Sequence, residues 1–104
     1  MFATIRRYDG VDQNRTTELT SKVNETLVPK FSKLPGFAGY YLIEAGNGIF
    51  SSLSLFETRE QAMESTKFVG TWIREEKLDV ILPNEPKITS GPVVAHSDHV
   101  LVAA

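Results

Sequence analysis

The chain has 104 residues, of which 41% are hydrophobic and 23% are charged, with a formal net charge of −2 and no cysteine. These values are typical of a globular protein with one core. They exclude a disulfide framework, a thiolate nucleophile and a cysteine metal site, and the weakly acidic balance argues against nucleic acid as the main partner. No apolar run approaches the roughly 18 residues of a membrane span, and the first ten residues lack a signal-peptide core. We therefore expect a cytoplasmic protein without a membrane partner.

The first predicted element is a strand over Phe2 to Tyr8, with the sequence FATIRRY. Arg6 and Arg7 are neighbours, so in a strand they point to opposite faces. One of the two should face an interior or an interface. Its guanidinium then either pairs with a carboxylate such as Glu44 or Glu57, or holds an anion in a pocket.

The next segment predicts a helix that runs to about Lys33, with Asp12 or Asn14 as its N-cap. Pro29 lies inside this segment and removes a backbone donor, so we expect a kink or irregular turn one turn earlier. The apolar stripe of the helix consists of Leu19, Val23, Leu27, Phe31 and Leu34.

A hairpin organises the middle of the chain, from residue 34 to residue 57. The Gly46-Asn47-Gly48 turn joins two strands that carry large apolar residues on both faces. A half-exposed strand would alternate apolar and polar residues, so we expect both faces of the hairpin to be buried. In the first strand, one face is predicted to carry Phe37, Tyr41 and Ile43, and the other Ala38, Tyr40 and Leu42. In the second strand, one face carries Ile49, Leu53 and Leu55, and the other Phe50, Ser52, Ser54 and Phe56.

A second helix is predicted from about Arg59 to Ile81, because Thr58 and Gln61 have the spacing of a capping box. Its inner stripe is Ala62, Thr66, Val69, Ile73 and Val80, with Phe68 and Trp72 on the flank of that stripe.

The last predicted strand runs from Lys87 to about Ala95, and Gly91-Pro92 within it suggests a bulge, a bend or an edge position. We assign residues 1–97 to one domain and residues 98–104 to a C-terminal tail. His96 and His99 fall at this end, where Asp98 is the one further candidate ligand nearby, so we predict a solvated tail and no metal site.

This order of elements predicts an α+β, ferredoxin-like βαββαβ fold, in which a four-stranded antiparallel sheet carries two helices on one face. The helices cover only that face. The other would expose several large apolar side chains, which monomers rarely do. We therefore predict a homodimer in which a second copy covers this face with two-fold symmetry.

Two stretches carry a family resemblance: residues 34–40, with the sequence LPGFAGY, and Phe56-Glu57-Thr58 before a helix. In these the chain resembles the antibiotic biosynthesis monooxygenase-like family of the dimeric α/β barrel superfamily, over about residues 2 to 95. The resemblance implies a dimeric α/β barrel with a pocket between helices and sheet in each subunit. The family includes cofactor-independent oxygenases of aromatic polyketides and also haem-degrading enzymes.

The catalytic residues of that family match only in part. Haem-degrading members require an asparagine on the first strand and a tryptophan and a histidine on the helices. Here the first strand has no asparagine and neither predicted helix has a histidine, so only Trp72 is of the matching type. The polyketide oxygenases place an Asn, a Trp, a Tyr and an Arg around the substrate. Trp72, Tyr40 or Tyr41, and Arg6 or Arg7 match part of that set, and no asparagine aligns with it.

Two classes of function follow. The first is a binder of a small apolar or aromatic ligand which, if catalytic, is a cofactor-independent monooxygenase of an aromatic or polyketide-like substrate; no cofactor is expected. The second is a non-catalytic homodimeric structural or ligand-binding module. In the first class Trp72 stays partly accessible at the edge of the pocket. The candidate ligand-binding residues are Trp72, Phe68, Tyr41, Tyr40, Arg6 and Arg7.

Overall fold

A computed structural model describes residues 1–97 of the chain. The strands are β1 (Phe2–Tyr8), β2 (Phe37–Gly46), β3 (Ile49–Phe56) and β4 (Lys87–Pro92). The helices are α1 (Thr16–Lys22), a π-helical turn (Val23–Leu27), α2 (Val28–Phe31), α3 (Arg59–Glu75) and a short 3₁₀ helix (Leu78–Val80). This is the predicted βαββαβ order. The predicted tail, residues 98–104 with His99, lies outside the described residues, so the domain limit stays a prediction.

The four strands form one antiparallel sheet in the order β2-β3-β1-β4. This is the predicted ferredoxin-like sheet, with β4 at an edge, where a proline is tolerated. β4 ends at Pro92, before the predicted Ala95. Pro92 pairs with Phe2, the first residue of β1, and the Val93 N–H donates to the Met1 carbonyl at 2.9 Å. No helix among residues 1–97 is long and apolar enough to cross a membrane.

The first helical segment is interrupted before Pro29, as predicted. Residues Val23–Leu27 form a π-helical turn, closed by a bond from the Val28 N–H to the Val23 carbonyl. Pro29 has no N–H to give to the preceding turn, and the wider turn accommodates its ring. The helix ends at Phe31, earlier than the predicted Lys33.

The predicted N-cap of this helix is wrong. Arg15 occupies the N-cap position, and its side chain makes no capping hydrogen bond. Asp12 instead accepts the backbone N–H of Asn14 at 3.0 Å, in a tight turn before the helix. A side chain held in such a local turn does not cap a helix that begins only after Arg15.

The hairpin turn is the predicted one, with Asn47 (φ 55°) and Gly48 (φ 75°) both in the left-handed region of a two-residue loop. The predicted face of Phe37 is wrong. A register irregularity between Phe37 and Gly39 adds a residue to β2, which turns Phe37 to the core side together with Tyr40. Ala38 is exposed in consequence.

The second helix begins with the predicted capping box of Thr58 and Gln61. It ends at Glu75, not at Ile81, because Lys77 adopts a left-handed conformation (φ 56°) that an α-helix cannot continue through. The chain then turns so that Leu78 and Ile81 enter the core. Val80, predicted on the inner stripe, is therefore exposed.

The core lies between the helices and one face of the sheet, which we call the inner face. Phe31 is fully buried at one end of it and meets four other aromatic rings at centroid distances of 5.4 to 6.1 Å. The opposite, outer face exposes Ile5, Tyr41 and Ile43. Within one chain, therefore, only the inner face of the hairpin is buried. The predicted burial of the outer face would need a second copy of the chain.

Candidate functional site

The structure decides which of the two adjacent arginines faces inward. Arg6 lies on the inner face of β1 and is only 1% exposed. Its Nη1 donates to the Ser54 hydroxyl at 3.0 Å and its Nη2 donates to the Thr66 hydroxyl at 2.7 Å. Arg7 points to the outer face and pairs with Asp9 at 3.2 Å in an exposed ion pair.

The expected carboxylate partner of the inward arginine is absent, so that prediction is wrong. Within residues 1–97, the salt bridges involve other side chains, and Glu44 and Glu57 are both exposed. The Nε of Arg6 is buried and has no hydrogen-bond partner. A buried charge is usually paired, so the guanidinium lacks both a counter-charge and one acceptor.

The two hydroxyls that hold Arg6 are fixed by bonds of their own. Thr66 donates to the Ala62 carbonyl at 3.3 Å, and Ser54 donates weakly to the Thr4 carbonyl at 3.5 Å. Since each hydroxyl has one proton to give, both present lone pairs to Arg6. The guanidinium is thus oriented by neutral acceptors and keeps its full positive charge.

Arg6 lies on the floor of a cleft of about 460 Å³, which we call the Arg6 cleft. The cleft opens between β1, β4, α3 and the loop that follows the 3₁₀ helix. Its volume falls within the range of small-molecule sites. The side chains and backbone that line it are Arg6, Tyr8, Thr66, Val69, Gly70, Ile73, Arg74, Asp79, Leu82, Pro83, Asn84, Glu85, Pro86 and Ile88.

A second, much smaller cavity of about 20 Å³ lies deeper in the core, beside Trp72 and Tyr40. It has room for about one water molecule and none for an aromatic ring. Four residues line both the small cavity and the Arg6 cleft and so separate the two: Tyr8, Val69, Ile73 and Leu82.

Trp72 is a packed core residue, so the expectation of a partly accessible indole is wrong. The side chain is 4% exposed, and its Nε1 donates to the Thr26 hydroxyl at 2.8 Å. Thr26 lies in the π-helical turn and donates in turn to the Lys22 carbonyl at 2.7 Å. A buried indole N–H needs such an acceptor, and the π-helical turn supplies it.

The remaining aromatic candidates divide between three places. Tyr40 lies inside, where burial raises the pKa of its phenol to about 12. Tyr41 lies on the outer face and is 59% exposed. Phe68 packs against Phe31, with ring centroids 5.9 Å apart, and does not line the Arg6 cleft. Of the six candidates, only Arg6 lines the cleft, and Tyr40 and Trp72 lie behind its wall; their role in ligand binding stays a prediction.

Burial governs the protonation of the groups near the floor of the cleft. Desolvation lowers the pKa of the Arg6 guanidinium, and the group still remains protonated at neutral pH. Burial raises the pKa of the Tyr8 phenol, an effect that the nearby charge of Arg6 partly offsets. Tyr8 therefore stays neutral and can donate a hydrogen bond.

Sequence analysis missed Tyr8 and Ser54 as members of the site. A signal for both was present. Tyr8 follows Arg6 by two residues and so shares its strand face. Ser52 and Ser54 are small polar residues on a strand face that is otherwise aromatic, which is where a buried cation can find acceptors. No group of three or more His, Cys, Asp or Glu side chains that could hold a metal gathers anywhere in residues 1–97.

No family model matches the chain, and no curated protein matches it. Solved structures do match. A candidate antibiotic biosynthesis monooxygenase from Bordetella bronchiseptica is 15% identical, with a TM-score of 0.72 and coverage of 90% of this chain and 97% of that one. A monooxygenase from the gene ActVA-Orf6 of Streptomyces coelicolor, in complex with nanaomycin D, is 15% identical, with a TM-score of 0.68 and coverage of 98% and 92%.

A third match is a dimeric ferredoxin-like protein from an uncultured marine organism. It is 15% identical, with a TM-score of 0.70 and coverage of 95% of this chain and 92% of that one. At such low identity, similarity between structures establishes the fold and leaves the chemistry to the site itself. The chain has the ferredoxin-like βαββαβ fold, and in that fold it is similar to the antibiotic biosynthesis monooxygenase-like proteins.

Proposed function

We propose that this chain is a small-molecule-binding protein whose ligand occupies the Arg6 cleft. One observation carries the proposal: a guanidinium that is only 1% exposed lies on the floor of the cleft with its Nε unpartnered. Leaving a buried donor unpaired is costly. A ligand that accepts from Nε removes that cost, which favours binding there.

A cleft-filling variant tests this proposal. Gly70 lines the cleft, and the nearest atom that a Cβ there would meet is the Arg74 Nη1 at 3.8 Å, an ordinary contact. Gly70→Leu should therefore fold while filling part of the cleft. The control is Thr71→Leu, on the exposed neighbouring position of α3; it removes the 3.3 Å bond that the Arg74 Nη2 donates to the Thr71 hydroxyl but adds no bulk to the cleft. The assay is amide NMR of the protein with a library of apolar aromatic and aliphatic acids, phenols and amides.

The expected result is a subset of compounds that shift the amide signals of Gly70, Asn84 and Ile88 but not that of Ile43 on the outer face. Binding should be lost in Gly70→Leu and kept in Thr71→Leu. A library that shifts none of the cleft signals, or binding that survives in Gly70→Leu, would contradict the proposal.

For the reaction, we propose cofactor-independent oxygenation of an aromatic, polyketide-like substrate. In this chemistry an enolate or phenolate gives dioxygen four electrons in all. One oxygen atom enters the substrate as a new quinone carbonyl, and the other leaves as water with the hydroxyl hydrogen and the C–H hydrogen of the oxidised carbon. A fixed cation such as Arg6 can stabilise the substrate anion. Similarity of fold to the Streptomyces coelicolor monooxygenase supports this proposal.

Oxygen uptake tests the reaction separately from binding. The metal-depleted protein is mixed with polycyclic phenols, and uptake is compared with the rate without protein. We expect uptake that Gly70→Leu abolishes and Thr71→Leu keeps. If phenols that bind take up oxygen no faster than they do without protein, the chain binds small molecules but lacks this activity.

A non-catalytic homodimeric module is the alternative function. One observation favours it: Trp72 is packed against the core, and the cavity beside it holds about 20 Å³. The tryptophan is thus structural, which removes one of the residues that resemble the oxygenase set. Binding without oxygen uptake is the result expected of this alternative.

We also propose that the chain forms a homodimer through the outer face, as in a dimeric α/β barrel. The cross-strand register aligns Tyr41, Leu53 and Ile5 in one row across three strands. Tyr41 and Ile5 are 59% and 44% exposed, and an apolar surface of this kind favours burial by a partner. The dimeric ferredoxin-like protein of the same fold supports this arrangement. The cytoplasmic location stays a prediction.

Sedimentation at micromolar concentration tests the dimer. Tyr41→Lys places a charge on the outer face, and Val80→Lys is a matched control, because Val80 is 60% exposed and lies far along the chain on the 3₁₀ helix. We expect the unmodified chain and Val80→Lys to sediment as dimers and Tyr41→Lys as a monomer. A monomeric unmodified chain would contradict this interface.

A further inference from the structure

We infer that the ligand of the Arg6 cleft carries one negatively charged oxygen group of the carboxylate class on an apolar body. The inference rests on the proposed function, since it specifies the chemistry of the same cleft. It follows from three features: the charge balance on the floor, the donors that face the cleft, and the charges at its rim.

The floor of the cleft has an uncompensated positive charge. Ser54 and Thr66 accept hydrogen bonds from Arg6 but bring no charge, and their protons are committed to backbone carbonyls. No carboxylate in residues 1–97 forms an ion pair with Arg6. A buried cation without a partner is strongly unfavourable, and an anionic ligand supplies the missing charge.

The unpartnered donor is of the type that binds such an anion. The guanidinium is planar and presents its N–H groups as a fixed fork, which matches the two oxygens of a carboxylate. The Nε of Arg6 is the free member of that fork. Tyr8, two residues along the same strand face, lines the same space with a neutral phenol that can donate a hydrogen bond.

The upper walls and the rim restrict the rest of the ligand. The walls are apolar, with Val69, Ile73, Leu82, Pro83, Pro86 and Ile88 among the lining residues. Three charged residues also line the cleft: Arg74, Asp79 and Glu85. Their sum is one positive and two negative charges, a net charge of −1, which disfavours a dianion or a phosphate ester. A single anionic head on an apolar body satisfies both parts of the cleft.

Matched probes test the inference on the unmodified protein. Naphthoate and naphthamide have the same ring and differ in charge; inorganic phosphate tests for a general anion site. We expect naphthoate to bind at least about tenfold more tightly than naphthamide, and phosphate to bind more weakly than naphthoate. Naphthoate should also shift the NMR signal of the Arg6 Nε–H, a readout that needs no variant.

Two variants assign the preference to Arg6. Arg6→Met removes the charge, and Arg7→Met is the control on the opposite face of the same strand. The preference for naphthoate should vanish in the first and persist in the second. Equal binding of naphthoate and naphthamide at the cleft would overturn the anionic ligand and leave the small-molecule site intact. Failure of both probes and of the whole compound library to bind would overturn the site as well.

Discussion

Arg6 illustrates how one residue is placed by contacts from three parts of the chain. β1 directs it inward, β3 supplies Ser54 and α3 supplies Thr66 as acceptors. None of these contacts neutralises the charge, so burying this cation contributes little to the stability of the folded chain. Residues of this kind are found where binding or catalysis is served at a cost in stability.

A prediction at the residue scale concerns Gly36. Its φ is +76°, and a Cβ built there would collide with the side-chain amide of Gln61, which belongs to the capping box of α3. Gly36→Ala should therefore combine backbone strain with loss of the cap and lower the free energy of unfolding by about 2–4 kcal/mol. Chemical denaturation measures the change.

Gly46→Ala is the matched control for this prediction. Gly46 also has a positive φ, +86°, but a Cβ there has nothing within 4 Å. It should show the backbone strain alone, about 1–2 kcal/mol. Equal losses in the two variants would mean that the collision with Gln61 is relieved without cost.

A second prediction at this scale concerns the bond between Trp72 and Thr26. Thr26→Val keeps the shape of the side chain but leaves the indole N–H without its acceptor, which should cost about 1–3 kcal/mol. Trp72→Phe removes the same bond together with part of the packing. In a double-mutant cycle, Thr26→Val should therefore cost much less when Trp72→Phe is already present. Strictly additive losses would show that the 2.8 Å bond contributes nothing.

At the scale of elements, the π-helical turn is the feature that links the first helical segment to α3. Val23–Leu27 widens the first helix just before Pro29, and the same turn carries Thr26 to the indole of Trp72 on α3. Such turns are rare and concentrate at sites with a specific role. Here the role is structural, because the widened turn presents the acceptor that allows Trp72 to be buried.

A prediction at this scale follows for Pro29. The residue lies in the first turn of α2, directly after the π-helical turn that accommodates its ring. Pro29→Ala should therefore be tolerated, with a change in stability below about 1 kcal/mol. The π-helical turn should persist, since Thr26 still holds it to Trp72. Denaturation and the NMR signal of the indole N–H measure both effects, with exposed Lys30→Ala as control; a large shift of that signal would show that Pro29 itself maintains the turn.

On the scale of the whole molecule, the two faces of the sheet have different tasks. The inner face carries the core, Arg6 and the small cavity, and the outer face carries the exposed apolar row of Ile5 and Tyr41. Arg6 and Arg7 sit on opposite sides of this division although they are neighbours in sequence. The proposed ligand binding and the proposed dimer can therefore be tested separately by single substitutions.

A prediction for the folded molecule as a whole concerns alkaline pH. Burial raises the pKa of Tyr40 from 10.0 to about 12, so the unfolded chain loses this proton before the folded chain does. Stability contributed by the neutral phenol is fully present below pH 10 and is lost as the pH rises towards 12. Tyr40→Phe should make the decline in this window shallower, and Tyr41→Phe on the outer face should not. Denaturation across the window measures the slopes; identical slopes for all three proteins would contradict the raised pKa.

Much of the fold follows from local patterns in the sequence. The Gly46-Asn47-Gly48 turn, the Thr58 and Gln61 capping box and the irregular turn before Pro29 were all predictable, because each depends on residues within one or two turns of chain. The end of the second predicted helix was not. α3 stops at Glu75 because Leu78 and Ile81 enter the core after a left-handed residue, and no local signal at Lys77 marks that turn.

The candidate site depended on tertiary structure to a much greater degree. The sequence by itself determined that one of Arg6 and Arg7 faces inward, since a strand alternates its side chains. Only the packing of α3 and β3 decided that it is Arg6, that the Ser54 and Thr66 hydroxyls accept its hydrogen bonds, and that the buried indole of Trp72 donates to the Thr26 hydroxyl. The physical reason is range: backbone propensities act between near neighbours, whereas the solvation and pairing of a buried charge are set by residues 46 to 60 positions apart in the chain that the fold brings together.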